Sequence, residues 1–506
     1  MIKSVLIANR GEIAVRIART CREMGIRTIG VYSEADRNAM HVSVMDEAHD
    51  IGPAPATESY LRQDRLLAVA ARTKAEAVHP GYGFLAENAV FAQHVAEAGL
   101  IWVGPPASAI AAMGSKTGAR ALMLKANVPI LPGSEGPIRA AKDGELFAKK
   151  VGYPILLKAV AGGGGKGMRV VHGREEMWNA FEAAGREAAA AFGDGAVYGE
   201  KYLPRARHIE IQIMADQHGN VVYLGERECS IQRRHQKIIE ESPSVAVSST
   251  LRQRMGDVAV AAAKACGYTN AGTVEMLLDE NGKFYFLEMN TRLQVEHPVT
   301  EEITGLDLVR MQLDVAAGGK LSLSQDEVTR RGHAIEVRLY AEDVPGGFLP
   351  STGVLKRLRP PSGPGIREDS GLREGGEVTR FYDPMISKLI VRAETREAAR
   401  VRMIRALQEY QIAGVRTNIP FCLHILKGDA FAKGDYHTRS GDTEFYQNFL
   451  ADQNQPVEHE ETLAAALAHV TVMSERAYAA TPTANGVTPQ DGAWRASGKK
   501  RAMGGA

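Results

Sequence analysis

The sequence has few cysteines, no long apolar run and almost no excess charge. Only four of its 506 residues are cysteines, and these lie far apart without a CxxC pair, which excludes a cysteine zinc site and a disulfide framework. No apolar run approaches the ~18 residues of a membrane-spanning helix, so we expect no membrane partner. With 61 Lys and Arg against 60 Asp and Glu, the net charge of +1 argues against nucleic-acid binding.

The N-terminus also lacks the features of a signal peptide. The apolar run within MIKSVLIANRGEIAV is short and no small-residue cleavage site follows it, so we interpret it as a first strand. Together with the scattered cysteines, this predicts a cytoplasmic protein. At roughly 100–200 residues per domain, the length predicts about three domains.

The first segment has the pattern of a parallel α/β domain. A β-rich run, SVLIA, is followed by a turn, by a helical pattern that ends at Gly25, and by the strand RTIGVYS. Strand–helix–strand at this spacing predicts a parallel sheet. Because the first turn lacks GxGxxG, we expect a Rossmann-like domain over residues 1–115 without a dinucleotide.

Glycine is the one residue type in clear excess, with 51 residues, and its main cluster lies at 162–167. The strand YPILLKAVA precedes this cluster and the strand MRVVH follows it. A glycine-rich loop between strands presents several backbone N–H groups to phosphate oxygens. It is not a Walker A loop, because GxxxxGK[ST] is absent. The alternative is a flexible surface hairpin.

A second motif, GTVEMLLDENGKFYFLEMN, predicts a β-hairpin with Asn281-Gly282 as its two-residue turn. In that register, every directly opposed pair of residue numbers has the same sum, and Glu275 faces Glu288. Opposed carboxylates repel each other unless a cation lies between them. Since Mg²⁺ binds carboxylate and phosphate oxygens together, the hairpin predicts a magnesium site.

Polar side chains continue at alternate positions beyond this hairpin. An extended chain would present them on one face and apolar residues on the other. The polar set is Glu288, Asn290, Arg292, Gln294 and Glu296. The alternative is an ordinary solvent-facing strand.

Other polar residues are scattered along the chain. Each alone is more typical of a surface or a satisfied core residue, and they gain meaning only if the fold brings them together. They are Lys116, Lys158, His208, Gln232, His235, Lys237 and Arg338.

These motifs resemble biotin carboxylase, an enzyme of the ATP-grasp superfamily. Besides the glycine-rich hairpin, the resemblance depends on ANRGEIA, HPGYGFLAEN, RRHQKIIEESP and EMNTRLQVEHPVTE, and it covers residues 1 to about 447. It implies an α/β and α+β fold. The expected parts are the Rossmann-like domain, an ATP-grasp domain over 116–330 with a mobile lid at about 131–203, and a barrel-like C-terminal domain over 331–447. Residues 448–506 would form a helical extension and a disordered tail, or dock a partner protein.

The resemblance also implies roles for individual residues. The residues implied to bind ATP are Lys116, Lys158, Gly163, Gly164, Gly165, Lys166, Glu200, Lys201, Leu203, His208, Gln232, His235, Glu275, Leu277 and Glu288. Mg²⁺ or Mn²⁺ would bind Glu275 and Glu288, with Asn290 nearby. The implied bicarbonate ligands are Lys237, Arg292, Gln294, Val295 and Glu296. Glu296 would be the general base, Arg338 would hold the biotin ureido oxygen, and Lys237 and Arg292 would assist catalysis.

The implied reaction uses ATP and bicarbonate to form carboxyphosphate and then carboxybiotin, releasing ADP and phosphate. No AMKM-like biotin acceptor and no carboxyltransferase domain are present, so we expect a separate biotin carboxyl carrier protein and a carboxyltransferase subunit. Arg19 and Glu23 match dimer-face positions of the family and imply a homodimer. We interpret the whole as the first half-reaction of an acetyl-CoA-type carboxylase.

Three alternatives stay open. The chain could serve a two-subunit pyruvate carboxylase, because the transferase selects the final acceptor. It could be another ATP-grasp ligase, such as a carboxylate–amine ligase, although such enzymes lack the RLQVEH run and Arg338. It could also be a non-catalytic ATP-binding scaffold, which the intact Lys237, Glu275 and Glu296 argue against.

Overall fold

The N-terminal segment forms a five-stranded sheet in the order β3-β2-β1-β4-β5. Its strands are parallel, as predicted. The structure, a computed structural model, describes residues 1–159, 168–193, 195–234 and 236–453. All four residues of the first strand are buried, which is typical of a parallel sheet covered on both faces. The elements are β1 Ser4–Ile7, α1 Gly11–Glu23, β2 Arg27–Tyr32, α2 Met40–Val44, β3 Glu47–Asp50, α3 Gln63–Thr73, β4 Ala77–His79, α4 Ala89–Glu97, β5 Ile101–Trp102 and α5 Ala107–Gly114.

The next segment forms a small antiparallel sheet with a core of its own. Its order is β7-β6-β8, so the two strands predicted to flank the glycine cluster do pair with each other. Ile155, Leu157 and Val197 of this sheet pack against Phe147 and Met177 of two helices. The elements are α6 Lys116–Lys125, α7 Ala141–Val151, β6 Ile155–Ala159, β7 Arg169–Val171, α8 Met177–Phe192 and β8 Val197–Lys201. The glycine cluster itself, within 160–167, lies outside the described residues.

An eight-stranded antiparallel sheet follows, in the order β13-β12-β9-β10-β11-β14-β21-β19. Up to residue 316, its segment contains β9 Arg207–Ala215, β10 Val221–Arg233, β11 Gln236–Ser242, α9 Ser249–Ala265, β12 Asn270–Leu278, β13 Phe284–Asn290, α10 His297–Thr304 and α11 Leu308–Ala316. Apolar residues of β9 and β12, such as Ile211, Val274 and Met276, pack against Met255 and Ala259 of α9.

The rest of the described chain continues this sheet and adds short strands and helices. Its elements are β14 His333–Tyr340, β15 Glu342–Asp343, β16 Leu349–Pro350, β17 Gly353–Val354, β18 Arg357–Arg359, β19 Ile366–Ser370, β20 Glu377–Val378, β21 Met385–Ala393, α12 Arg396–Glu409, β22 Gln411–Ala413, α13 Ile419–Lys427, α14 Asp429–Lys433 and α15 Tyr446–Gln453. Because β11 pairs with β14, one sheet crosses the predicted boundary at residue 330. The domain boundaries stay predictions, and residues 454–506 of the predicted tail lie outside the described residues.

The β12–β13 hairpin confirms the central pairing that the sequence predicts, since Glu275 lies opposite Glu288. The predicted register is wrong nearer the turn, where Leu278 pairs with Phe284. A bulge between the two regions leaves Leu287 as the extra residue on β13. The bulge shifts the register by one residue and so restores the predicted pairing at the two carboxylates.

The hairpin turn is also longer than predicted. The Asp279 carboxylate accepts hydrogen bonds from the backbone N–H groups of Asn281 and Lys283, and this organises a loop from Asp279 to Lys283 in place of a two-residue turn. Within this loop only Gly282 has a positive φ, of 74°. A two-residue type I′ turn would require two such residues.

The prediction that one extended strand carries the polar set from Glu288 to Glu296 is wrong. The strand ends at Asn290, and Glu296 is the N-cap residue of α10. Pro298 at the start of α10 has the fixed φ that favours a helix beginning there. The side chains therefore reach the site from a loop.

Among the described helices, none combines the length and the apolar character required to cross a membrane.

Candidate active site

The centre of the site is a single buried ammonium among three carboxylates. Lys237 on β11 donates to Glu210 on β9 at 2.6 Å, to Glu275 on β12 at 3.0 Å and to Glu296 at 2.5 Å. Burial alone would lower the pKa of Lys237, but the three carboxylates outweigh it and raise that pKa well above its usual value. The lysine is therefore charged, and it links its own strand to β9, β12 and the loop before α10 through their carboxylates.

Arg227 on β10 lies beneath this cluster, fully buried. Its five N–H groups donate to five acceptors on β9, β12, α10 and the loop before α10, which fixes these parts of the chain relative to one another. The contacts are Nε to Glu210 at 2.5 Å, Nη1 to Gln212 at 2.6 Å and Thr300 at 3.0 Å, and Nη2 to Thr273 at 3.1 Å and Gln294 at 2.8 Å.

We expect Arg227→Met to lower the free energy of unfolding by about 3–5 kcal/mol, because it leaves an oxygen of Glu210 buried without its donor. Guanidinium-induced unfolding measures this loss. The control is Arg205→Met, since Arg205 is 47% exposed where it pairs with Glu280 and Asp435. The control should lose less than about 1 kcal/mol. Equal losses in the two variants would contradict the structural role of Arg227.

The two opposed hairpin carboxylates have different surroundings. Burial would raise the pKa of Glu275, but Lys237 and His208 outweigh it and hold that pKa well below normal. The His208 ring nitrogen Nε2 lies 3.1 Å from a Glu275 oxygen. Burial and then the charge of Glu275 raise the pKa of Glu288. A bound dication would relieve this repulsion, so the pair fits a metal whose ligands are carboxylate oxygens.

Asn290 and Arg292 contact each other and a residue of the N-terminal segment. The amide oxygen of Asn290 accepts from Arg292 Nη2 at 3.0 Å, and Arg292 Nε donates to Glu87 at 2.9 Å. Glu87 belongs to the HPGYGFLAEN motif of the N-terminal segment, which explains how that motif contributes to the site. The structure thus brings Arg292 to the edge of the cluster, where it joins two segments of the chain.

Glu296 lies between two cations. One oxygen accepts from Lys237, and the other accepts from Arg338 Nη2 at 2.9 Å, while Arg338 Nε donates to Glu240 at 2.6 Å. Burial would raise the pKa of Glu296, but Lys237 and then Arg338 outweigh it and hold that pKa well below normal. Glu296 is therefore an ionised carboxylate that can accept a proton.

Gln294 and Val295, the residues before Glu296, are also held in place. Gln294 Nε2 donates to Glu275 at 2.8 Å, and its oxygen accepts from Arg227. The backbone carbonyl of Val295 accepts from Lys388 on β21 at 2.7 Å. Both residues therefore lie beside the Lys237 cluster, as the predicted bicarbonate set requires.

Three of the residues predicted for the nucleotide, Lys158, Glu200 and Lys201, lie on β6 and β8 of the small sheet. Lys158 donates to Glu200 across β6 and β8. Lys201 donates to the carbonyl oxygens of Gly152 and Tyr153 at 3.0 and 3.1 Å. Leu203 follows β8.

Of the other predicted nucleotide residues, some lie within the described part of the chain and some lie outside it. Leu277 lies opposite His208, and Gln232 donates to the Cys229 carbonyl at 2.7 Å. Lys116 is the first residue of α6. Gly163, Gly164, Gly165, Lys166 and His235 lie outside the described residues.

Glu210 and Arg227 are central to this site, and neither is among the residues singled out from the sequence. The alternation of His208, Glu210 and Gln212 in HIEIQI is a signal that could have identified Glu210. Nothing comparable marks Arg227, which lies among charged residues in GERECS.

Comparison with known proteins identifies the family. Residues 1–110 match the biotin carboxylase N-terminal domain, residues 115–324 match the ATP binding domain of the carbamoyl-phosphate synthase L chain, and residues 336–441 match the biotin carboxylase C-terminal domain. The chain is 52% identical over 440 residues to biotin carboxylase 1 of Bacillus subtilis, which covers 87% of this chain and 98% of the relative. The chain belongs to the biotin carboxylase family.

Other relatives agree with this assignment. A pyruvate carboxylase subunit of Methanothermobacter thermautotrophicus is 50% identical over 463 residues, covering 92% of this chain and 94% of the relative. A solved biotin carboxylase domain dimer of Hydrogenobacter thermophilus 2-oxoglutarate carboxylase, in complex with MgADP, ADP and bicarbonate, is 46% identical with a TM-score of 0.83, covering 89% of this chain and 99% of that one. A Campylobacter jejuni biotin carboxylase complex has a TM-score of 0.82 at 46% identity, covering 87% and 98%.

Membership of this family confirms several of the predictions. The chain is an ATP-grasp ligase with a Rossmann-like N-terminal part and a β-rich C-terminal part. The predicted use of ATP, Mg²⁺, bicarbonate and biotin is confirmed at the level of the family. The comparisons include subunits of both pyruvate carboxylase and methylcrotonoyl-CoA carboxylase, so they do not select acetyl-CoA.

Proposed function

We propose that this chain carboxylates biotin on a separate carrier protein, using ATP and bicarbonate and passing through carboxyphosphate. The observation that carries the proposal is the position of Glu296, an ionised carboxylate held between Lys237 and Arg338. Lys237 also contacts Glu210 and Glu275, and Arg338 also contacts Glu240. Such an arrangement suits a base for bicarbonate that lies beside both the proposed metal carboxylates and the proposed biotin ligand.

Glu296 is the proposed general base. Bicarbonate is a weak nucleophile, so its remaining proton must leave as its oxygen attacks the γ-phosphate of ATP. Lys237 and then Arg338 outweigh the effect of burial and hold the pKa of Glu296 well below its usual value, so the side chain is in the ionised form that a general base requires. Lys237, Arg292, Gln294 and the backbone of Val295 are the proposed bicarbonate ligands.

Glu275 and Glu288 are the proposed metal ligands, with Asn290 beside them. Their direct opposition on the hairpin and the raised pKa of Glu288, which burial and then Glu275 cause, support this assignment. When bound, Mg²⁺ or Mn²⁺ would neutralise charge on the phosphate oxygens. Lys237 and His208 balance the remaining carboxylate charge, which lets the pair bind a metal and a polyphosphate together.

The proposed nucleotide site lies between the small sheet and the edge of the large one. The Lys158–Glu200 ion pair supports this location, since a bound nucleotide could replace either residue as the partner of the other. The separate core of the segment supports a lid at about 131–203 that excludes water from a labile intermediate. The residues assigned to this site are Lys116, Lys158, Gly163, Gly164, Gly165, Lys166, Glu200, Lys201, Leu203, His208, Gln232, His235 and Leu277.

Arg338 is the proposed ligand of the biotin ureido oxygen. Its Nε donates to Glu240, which fixes the plane of the guanidinium, while Nη2 points to Glu296. A planar, fixed guanidinium suits the negative charge that would develop on the ureido oxygen when the neighbouring nitrogen gives its proton to the phosphate released from carboxyphosphate.

The partner proteins and the final acceptor of the carboxyl group are the subject of further proposals. We infer a biotin carboxyl carrier protein and a carboxyltransferase subunit. We also infer a homodimer, in which half-exposed Arg19, together with Glu23, would lie at the dimer face. An acyl-CoA carboxylase is the first choice. A two-subunit pyruvate carboxylase is the second, supported by the relative that matches over 94% of its own length. The cytoplasmic location stays a prediction.

The test is bicarbonate-dependent ATP hydrolysis by the purified chain, measured as ADP release with and without free biotin. We expect hydrolysis to require bicarbonate and to rise when biotin is added. Bicarbonate-depleted buffer is the control. Hydrolysis without a biotin response would favour another ATP-grasp ligase, and no hydrolysis at all would favour a scaffold, so either result would overturn the proposal.

A further inference from the structure

Lys388 on β21 is a fully buried lysine that the proposed reaction does not use. Its ammonium donates to the backbone carbonyl of Val295 at 2.7 Å and lies 3.0 Å from an oxygen of Glu12 and 4.0 Å from one of Asp369. A buried ammonium requires several polar partners. These partners come from α1, from the loop before α10 and from β19, so Lys388 connects distant segments of the chain at the site.

The position of Lys388 in the sheet makes its placement costly. It lies directly opposite Arg338 on β14, and like charges on opposed residues repel each other. Glu336, two residues before Arg338, is fully buried, and neither carboxylate oxygen has a hydrogen-bond partner among the described residues. Glu12, 3.0 Å away, supplies charge balance for Lys388. The ammonium makes its shortest contact, at 2.7 Å, to the neutral carbonyl of Val295, which charge balance alone does not require.

The carbonyl of Val295 belongs to the peptide unit that joins Val295 to Glu296. This peptide lies in the loop between β13 and α10, so it has no strand partners to define its orientation. Side chains supply that restraint. Lys388 holds the carbonyl of Val295, and the ring of His297 lies 2.8 Å from the carbonyl of Gln294. The backbone that carries the proposed base therefore depends on Lys388.

Lys388 also connects this peptide to the N-terminal segment. Glu12, in the first turn of α1, accepts a hydrogen bond from the hydroxyl of Tyr82. Tyr82 belongs to the HPGYGFLAEN motif, and its ring centre lies 6.0 Å from the Lys388 ammonium. Tyr82, Glu12, Lys388 and Val295 are thus linked by successive polar contacts. These contacts run from the N-terminal segment to the bicarbonate side of the site.

We propose that Lys388 is a positioning residue for the bicarbonate step: its ammonium holds the Val295–Glu296 peptide so that the bicarbonate ligands and the base keep their arrangement. The inference rests on the proposed function. It concerns the binding of bicarbonate and the placement of the base. We expect the binding of ATP to change little, because Lys388 makes its hydrogen bond and ion pairs to Val295, Glu12 and Asp369, none of which is a proposed nucleotide ligand.

The test compares Lys388→Met with Arg252→Met in full-length protein. Arg252 is a matched control, since it donates twice to a buried glutamate, Glu226, away from the site. We expect Lys388→Met to lower kcat/KM for bicarbonate about ten- to a hundredfold, with KM for ATP within about twofold of the wild type. Arg252→Met should lose stability without this selective change. A kcat/KM for bicarbonate equal to that of the control would overturn the inference.

A second variant separates positioning from stability. Lys388→Met alone leaves Glu12 buried without its cation, whereas Lys388→Met combined with Glu12→Gln makes the pair neutral. The double variant should recover thermal stability relative to Lys388→Met but keep the low kcat/KM for bicarbonate, because Val295 still lacks its donor. Recovery of both would contradict the inference. A wild-type chain without bicarbonate-dependent hydrolysis would instead overturn the proposed function.

Discussion

Glu296→Gln should reduce bicarbonate-dependent ATP hydrolysis and biotin carboxylation together, by about 10²- to 10⁴-fold, the usual contribution of a general base. Glutamine keeps the size of the side chain but cannot accept the bicarbonate proton. The same carboxylate also holds Lys237 at 2.5 Å and Arg338 at 2.9 Å, so its loss disturbs both partial reactions. Both activities should therefore fall, whichever of them is measured.

The measurement is steady-state ADP release and carboxybiotin formation at saturating ATP. Glu241→Gln is the matched control, because Glu241 is also a buried glutamate held by cations, in this case by Arg396 and by His333 when that histidine is charged, but it lies outside the Lys237 cluster. The control should lose stability while its KM for bicarbonate stays near the wild-type value. Retention of more than a tenth of the wild-type rate by Glu296→Gln would contradict the assignment of the base.

Arg338→Lys should impair biotin carboxylation by about 10²- to 10³-fold, the usual effect of removing a donor to a developing oxyanion. Bicarbonate-dependent ATP cleavage without biotin should fall much less. The guanidinium reaches Glu240 through Nε and Glu296 through Nη2 at the same time. A lysine ammonium is a single point of charge on a flexible stem and cannot hold both contacts in a plane.

The two activities are measured on the same preparation of Arg338→Lys, and their ratio is the decisive quantity. Arg396→Lys is the control, since Arg396 also donates through Nε and Nη2, at 2.7 and 3.0 Å, to a glutamate outside the site. Its ratio should stay at the wild-type value. Equal losses of both activities in Arg338→Lys would indicate a general structural role and not a role at biotin.

The sequence pattern was sufficient to predict contacts between segments that are close to each other in sequence. The opposition of Glu275 and Glu288 follows from a hairpin whose strands are adjacent in sequence, and it survives an error in the turn because the bulge at Leu287 corrects the register. The pairing of the strands that flank the glycine cluster is predictable for the same reason. The prediction of an extended path from Asn290 to Glu296 was wrong, because alternation of polar residues does not indicate where a strand ends.

Contacts between distant segments could not be obtained in this way. Arg227 and Lys388 carry no motif of their own, Glu210 has only the polar alternation of its strand, and each acquires its role from neighbours far away in sequence. The guanidinium group of Arg227 donates hydrogen bonds to acceptors on β9, β12 and α10. The resemblance to a known family named the residues expected around the substrates, but it did not indicate the buried charges that hold those residues in place.

Local spacing and residue identity were enough to predict the βαβ start, the strands that flank the glycine cluster, the pair of opposed carboxylates and, through the motifs, the family. These depend on local spacing or on residue identity, which a single sequence contains. The tertiary structure decided that β11 lies between β10 and β14, and so brought Lys237 into contact with Glu210, Glu275 and Glu296. The physical reason is that strand order follows from burying apolar side chains throughout the chain, while burial makes each charge depend on partners that only the completed sheet supplies.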